Sequence, residues 1–125
     1  MGEKFIIDTN MLIEARMKKL SENGLIFLAE VINQNFIVSF VTYIEFLGYK
    51  DATQTTKDFI SLAHVIEINK SIIDTCIFIR KAQSIKLPDA IIAVTALSLQ
   101  YTLITNNGKD FGKISGLNII NLYQL

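Results

Sequence analysis

The chain is poor in the residues that usually announce a mechanism. Its 125 residues include one cysteine, one proline, one histidine and no tryptophan. A single thiol excludes an internal disulfide. Cys76, between Thr75 and Ile77 in an apolar helical stretch, reads as a small core residue. With His64 as the one imidazole, no His–Cys spacing suits zinc, and His64 itself reads as packing at the start of a strand rather than as a base. A charge excess is missing too: twelve basic and twelve acidic side chains cancel, whereas nucleic-acid binders often carry a basic surplus. No apolar run reaches the ~18 residues of a membrane span, although half the residues are hydrophobic and the mean hydropathy is +0.37. The apolar run Phe5-Ile6-Ile7 stops at Asp8, too short for a secretory signal. Met1-Gly2 does not open a myristoylation motif, because position 6 is Ile. The expectation is a cytoplasmic protein with no membrane segment.

What the chain does have is short apolar blocks in alternation, with no repeat, low-complexity tract or linker. The length suits a single domain over residues 1–125. The pattern predicts a strand over 4–7, helices over 9–19 and 22–34, and a strand over 36–39. Helices at 42–50 and 53–63 follow, then a strand at 64–68 and a helix at 70–84. Pro88 opens a helix running to Gln100, and strands at 101–104 and 118–121 flank a helical turn at 107–112. Strands alternating with helices imply an α/β fold whose parallel sheet is covered on both faces. In such sheets ligands bind beyond the carboxyl ends of the strands. Asp8, Glu45, Asp89 and the pair Asn106-Asn107 all fall at that end.

Each acid, taken singly, has an ordinary structural explanation. Asp8 suits the N-cap of the helix after it. Thr42-Tyr43-Ile44-Glu45 fits a capping box. Asp89, after Pro88, complements a helix dipole. Taken together they point elsewhere, since each is bordered by apolar residues and all would project toward one end of the sheet. Carboxylates gathered in a low-dielectric pocket repel one another and take up protons; a divalent cation removes that difficulty. An all-oxygen donor set suits Mg²⁺ or Mn²⁺.

Four segments in order carry a family resemblance: Phe5-Ile6-Ile7-Asp8-Thr9-Asn10, Thr42-Tyr43-Ile44-Glu45-Phe46-Leu47, Lys86-Leu87-Pro88-Asp89-Ala90-Ile91-Ile92-Ala93, and Leu103-Ile104-Thr105-Asn106-Asn107-Gly108-Lys109-Asp110-Phe111. Over essentially its whole length the chain resembles the PIN domains, in particular the small VapC-type toxins of bacterial toxin–antitoxin pairs. The resemblance implies a three-layer α/β sandwich around a parallel sheet of about five strands. It also implies Mg²⁺- or Mn²⁺-dependent endoribonuclease activity, with Asp8, Glu45 and Asp89 as metal ligands and catalytic acids. Thr9 and Asn10 match small polar positions that orient Asp8 or a water, or are simply first-turn helix residues. Where many members have a fourth acid this chain has Asn107, with Asp110 three residues on; Asn107-x-x-Asp110 also fits a helix cap, and the missing charge would weaken a second metal site most. Lys86, Lys109 and Arg80 are candidate RNA contacts.

Two other readings compete. A PIN-like module that binds RNA or protein without cutting is favoured by the neutral Asn107. Phosphoryl transfer of the haloacid-dehalogenase kind wants a second Asp two residues after Asp8, where Asn10 stands. The helix over 70–84 has Ile72, Ile73, Ile77, Phe78 and Ile79, more apolar circumference than one core stripe needs. It is either sandwiched within the domain, or a homodimer face, or a groove for an antitoxin helix.

Overall fold

The computed structural model describes residues 3–50 and 52–125; the Met1-Gly2 reading lies outside them. The chain runs β1 (Phe5–Ile7), α1 (Thr9–Arg16), α2 (Glu22–Gln34), β2 (Ile37–Ser39), α3 (Phe40–Gly48), α4 (Gln54–Ile60), β3 (His64–Ile66), α5 (Lys70–Ala82), α6 (Leu87–Leu99), β4 (Thr102–Ile104), α7 (Gly108–Phe111) and β5 (Ile119–Ile120), closing on a 3₁₀ turn at Leu122–Gln124.

All strand pairings are parallel, as the alternating pattern implies. β1 pairs with β4 (Ile7 opposite Ile104), β4 with β5, and β2 with β3. These form two hydrogen-bonded ladders, β1-β4-β5 and β2-β3. β1 packs against β2, so the five strands lie in the order β3-β2-β1-β4-β5. The chain order therefore reverses between β1 and β4, the topological switch point where open α/β sheets place their ligands.

Successive strand residues point to opposite faces, and the core divides accordingly. Ile6, Ile37 and Leu103 pack with Ile72, Cys76, Ile79 and the buried run Ala90–Ala96 of α5 and α6. Ile7, Val38 and Ile104 pack on the other side with Met11, Leu12, Leu28, Val31 and Ile60. The result is the expected three-layer sandwich. Truncating Ile7, fully buried, to alanine would cost about 2–5 kcal/mol and loosen the strand end that carries Asp8.

Local signals explain several boundaries. Ser21, Thr53 and Asn69 cap α2, α4 and α5, each side chain accepting from a backbone amide three residues on. Pro88 sits in the first turn of α6, where its missing N–H costs nothing. Four expectations need correcting. α3 starts at Phe40, two residues early, because Ser39 ends β2 and also caps the helix, accepting from the Val41 amide at 3.1 Å. His64 is exposed rather than packed, with only its backbone committed to β3. The 3₁₀ turn was not foreseen; it seats against Gly24, where a Cβ would come within 2.8 Å of the Leu122 carbonyl oxygen. And α5 is not sandwiched: Ile72, Cys76 and Ile79 are buried, while Ile73, Ile77 and Phe78 are exposed.

Candidate active site

Asp8 follows β1 directly. Its amide donates to the Ile104 carbonyl at 2.9 Å, which carries the β1–β4 ladder one step further and sets Thr105 beside it. The residue is only 4% exposed. Its backbone occupies the N-cap position of α1, but its side chain makes no capping bond, so the capping explanation does not account for the carboxylate. That group instead accepts from the Thr105 hydroxyl at 2.8 Å. Burial pushes the Asp8 carboxyl up to about 6, with Asp89 and Glu45 adding repulsion; the Thr105 hydroxyl and the Thr9 amide oppose the rise.

Glu45 lies one full turn into α3, not in its first turn, because the helix begins at Phe40. The capping box of Thr42 and Glu45 is therefore absent: Ser39 is the cap. Both side chains face α1 instead. The Thr9 hydroxyl donates to Glu45 Oε1 at 2.6 Å and lies 3.0 Å from Thr42 Oγ1. Thr9 and Thr42 are buried, whereas Glu45 is exposed. The carboxylate thus stands at the mouth of the cleft, held from below by a buried hydroxyl pair.

Asp89 occupies the first turn of α6 and is half-buried. Burial raises its carboxyl, as do Asp110 and Glu45, while the Lys86 ammonium pulls it down. Lys86 is thus a basic group whose charge reaches Asp89. Asn107 caps α7, accepting from the Asp110 amide at 3.3 Å and donating from Nδ2 to Asp110 Oδ2 at 3.1 Å. The cap reading holds for Asn107, and the same bonds orient Asp110 in a position where its charge is felt by Asp89. Thr105 links the two halves. Its hydroxyl donates to Asp8 and accepts from the Asn107 amide at 3.0 Å, so one buried oxygen connects β1 to the cap of α7.

The other candidates scatter. Asn10 is exposed, in the first turn of α1. Lys109 is exposed on α7. Arg80 donates from Nε to the Ile85 carbonyl at 3.2 Å, stapling the α5–α6 turn. The sequence assigns Thr105 no role of its own and Thr42 only that of a helix cap, and of a second set it places Asn106 alone at the ligand end of the sheet. Asn106 Nδ2 lies 3.3 Å from both oxygens of Glu14, and the Tyr123 hydroxyl donates to the same carboxylate. A strand-terminal threonine opposite a strand-terminal acid is a readable signal once register is known; the Glu14 contacts join residues up to 109 positions apart and leave none.

Chemically, the cleft collects Asp8, Glu45, Asp89 and Asp110, and none of these four acids forms an ion pair with a described residue. No three Asp, Glu, His or Cys side chains among the described residues stand close enough to hold a metal ion as they are. The donor chemistry nevertheless fits a hard divalent cation: oxygen ligands, one buried, repelling one another in the free protein.

Comparison with known proteins agrees with the fold. The PIN domain family profile matches residues 5–117. A chain of a toxin–antitoxin complex from Klebsiella pneumoniae is 30% identical, with a TM-score of 0.79 over 98% of this chain and 100% of that one. A chain of the VapBC-1 structure from nontypeable Haemophilus influenzae is 25% identical, with a TM-score of 0.73 over 94% and 97% of the two chains. A chain of VapBC2 from Rickettsia felis, bound to a DNA fragment from its promoter, shares the fold at 21% identity and a TM-score of 0.75, over 94% of this chain and 97% of that one. No curated protein matches the sequence.

Proposed function

The chain belongs to the PIN domain family and resembles its VapC-type members, and from that premise we propose that it is a divalent-metal-dependent endoribonuclease, the toxin of a toxin–antitoxin pair. The observation that carries the proposal is the buried Asp8 carboxylate at the switch point, whose carboxyl burial raises to about 6 and which Asp89 and Glu45 repel.

Asp8, Glu45 and Asp89 would hold Mg²⁺ or Mn²⁺. When bound, such an ion supplies a water of lowered pKa and neutralises charge that develops on the phosphoryl oxygens. The chain's own residues do the rest. Thr105 and the Thr9 amide hold Asp8 in one orientation, and the Thr9 hydroxyl holds Glu45. Asn107 presents Asp110, the fourth acid, to the same space. Lys86, which already lowers the Asp89 carboxyl, meets an incoming phosphate at the mouth, and Lys109 extends the basic track along the RNA backbone.

Asp8→Asn and Asp89→Asn should each abolish Mg²⁺- or Mn²⁺-dependent cleavage of defined RNAs and keep the fold. Undiminished cleavage by either purified variant sinks the proposal. Asn107 favours one other reading, a PIN module that binds without cutting. Titrating Mg²⁺ against RNA binding and turnover separates the two, because a pure binder shows no turnover at any metal concentration.

An antitoxin would be a protein that covers apolar surface on this chain. A groove of about 380 Å³ lies between α1, α2 and α4, lined by Leu12, Leu25, Leu28, Ile32, Phe46 and Phe59. It suits the apolar face of a helix. No helix among the described residues is long and apolar enough to cross a membrane.

A further inference from the structure

Three separate parts of the chain meet on the Glu14 carboxylate. Glu14 stands on α1, about 9 Å along the helix axis from Asp8. Asn106 Nδ2 lies 3.3 Å from both of its oxygens, and the Tyr123 hydroxyl donates to Oε1. Glu14 and Asn106 are half-buried. Tyr123 belongs to the 3₁₀ turn that the fully buried Leu122 anchors. A glutamate gives up rotamer freedom to hold a partner; here the Tyr123 hydroxyl already fixes the carboxylate that Asn106 meets.

Asn106 is the link to the cleft. The residue before it, Thr105, donates to Asp8. The residue after it, Asn107, donates its amide to Thr105 and its Nδ2 to Asp110. Neighbouring residues of one loop are thus tied to α1 at two places, Thr105 to the N-cap Asp8 and Asn106 to Glu14 farther along. A single tie leaves a loop free to turn about it, whereas two ties more than one helical turn apart fix its orientation. We propose that Glu14 is a positioning residue of the candidate site, fixing through Asn106 the orientation of the loop that presents Asp110 to the cleft.

The contact is one of donor and acceptor. Asn106 carries no charge, so what Glu14 supplies is an oxygen in the right place. A glutamine at this position offers the same oxygen, and an alanine offers none. Asn106→Asp sets two carboxylates against each other. The double variant E14Q/N106D exchanges donor and acceptor while keeping both side-chain lengths. The proposal rests on the nuclease reading for the use made of Asp110, but the orientation of the loop needs no cation.

Amide hydrogen exchange of the metal-free full chain, read by NMR at Asn107 and Asp110, tests it. Both amides bond within the loop, to Thr105 Oγ1 and Asn107 Oδ1. Glu14→Ala and Asn106→Ala should each speed their exchange about three- to tenfold. The double variant E14A/N106A should go no further, because each change removes the same contact. Asn106→Asp should also speed exchange, while Glu14→Gln and E14Q/N106D should stay within about twofold of wild type. The Leu103 amide, bonded to the Asn118 carbonyl within the sheet, should not change in any of them. Calorimetry with Mn²⁺ then reads the consequence for the site. Glu14→Ala should bind Mn²⁺ at least about threefold more weakly than the wild type, and Glu14→Gln should match the wild type. Loop exchange that Glu14→Ala leaves unchanged overturns the proposal. So does exchange that rises equally at Leu103, which would make Glu14 a support of the whole fold. Faster loop exchange with unaltered Mn²⁺ affinity overturns the link to Asp110. A wild type that binds no Mn²⁺ sinks the nuclease reading, and exchange alone then decides whether Glu14 orients the loop.

Discussion

Neutralising Asp8 should make the metal-free protein more stable while destroying its use of metal. Burial and two neighbouring acids carry this carboxyl from 3.8 to about 6, and a displacement of that size corresponds to about 3 kcal/mol. The folded chain holds the proton more tightly than the unfolded chain does. The associated stability is therefore complete below about pH 4 and is lost as the pH rises through about 6. At pH 7.5 the wild type bears the whole cost of an ionised, buried Asp8. Asp8→Asn keeps an oxygen for the Thr105 hydroxyl but adds an amide N–H₂ to be satisfied, an offset of about 1 kcal/mol. The net gain is about 2 kcal/mol, roughly 6–10 °C in Tm for a domain of this size. The assay is urea unfolding of both proteins in chelator from pH 4 to 8. Taking the difference between them cancels the other carboxylates, and that difference should favour the variant at pH 7.5 and fall to zero or below near pH 4. Adding Mn²⁺ should raise the Tm of the wild type and leave the variant unmoved. A difference that does not vary with pH, or a variant less stable at pH 7.5, would refute the reasoning.

The remaining predictions concern the groups around Asp8. Thr105→Val removes a hydroxyl that serves both Asp8 and the Asn107 amide; it should cost about 1–3 kcal/mol in chemical denaturation and weaken Mn²⁺ binding in calorimetry, with Thr105→Ser recovering most of both. Asn107→Asp keeps a good helix cap and adds a negative charge beside Asp110. Metal affinity by calorimetry should rise and the metal-free Tm should fall, the reverse pattern counting against a site open to a further cation. The Glu14 carboxylate raises the Tyr123 phenol above its ordinary value, so Glu14→Gln should bring the ionisation of Tyr123 to lower pH in an ultraviolet titration. An unchanged titration curve would mean the contact does not persist in solution.

The alternating blocks made the layered fold readable, and α2 falls at the expected residues. Asp8 after a buried strand and Asp89 after Pro88 could be located because their cues are local, an apolar run that stops and a proline that starts a helix. Glu45 shows where local cues mislead. Thr42-Tyr43-Ile44-Glu45 has the pattern of a cap, but Ser39 captures that role because strand and helix meet without a loop, and tertiary packing then turns Thr42 and Glu45 toward Thr9. Thr105 became meaningful only through the register of β1 on β4. The Glu14–Asn106–Tyr123 contacts depend on a 3₁₀ turn seated against α2, which no periodicity foretells. Ile77 and Phe78 showed that α5 has apolar residues to spare, but which of them face outward follows from the packing of Ile72, Cys76 and Ile79.

The junction at Ser39 sets a rule for how this site can vary. Where a loop joins two elements, an inserted residue is absorbed by slack. Here Ser39 is the last residue of β2 and the cap of α3, so the helix takes its rotation straight from the strand. One residue added between Ser39 and Phe40 would turn α3 by about 100°, carrying Thr42 and Glu45 off the cleft together while the sheet stays whole. The same holds at β1, where Asp8 is the single residue between strand and helix. These acids are held by phase rather than by reach, so length changes at the two joints would be far less tolerated than changes in the residues around them.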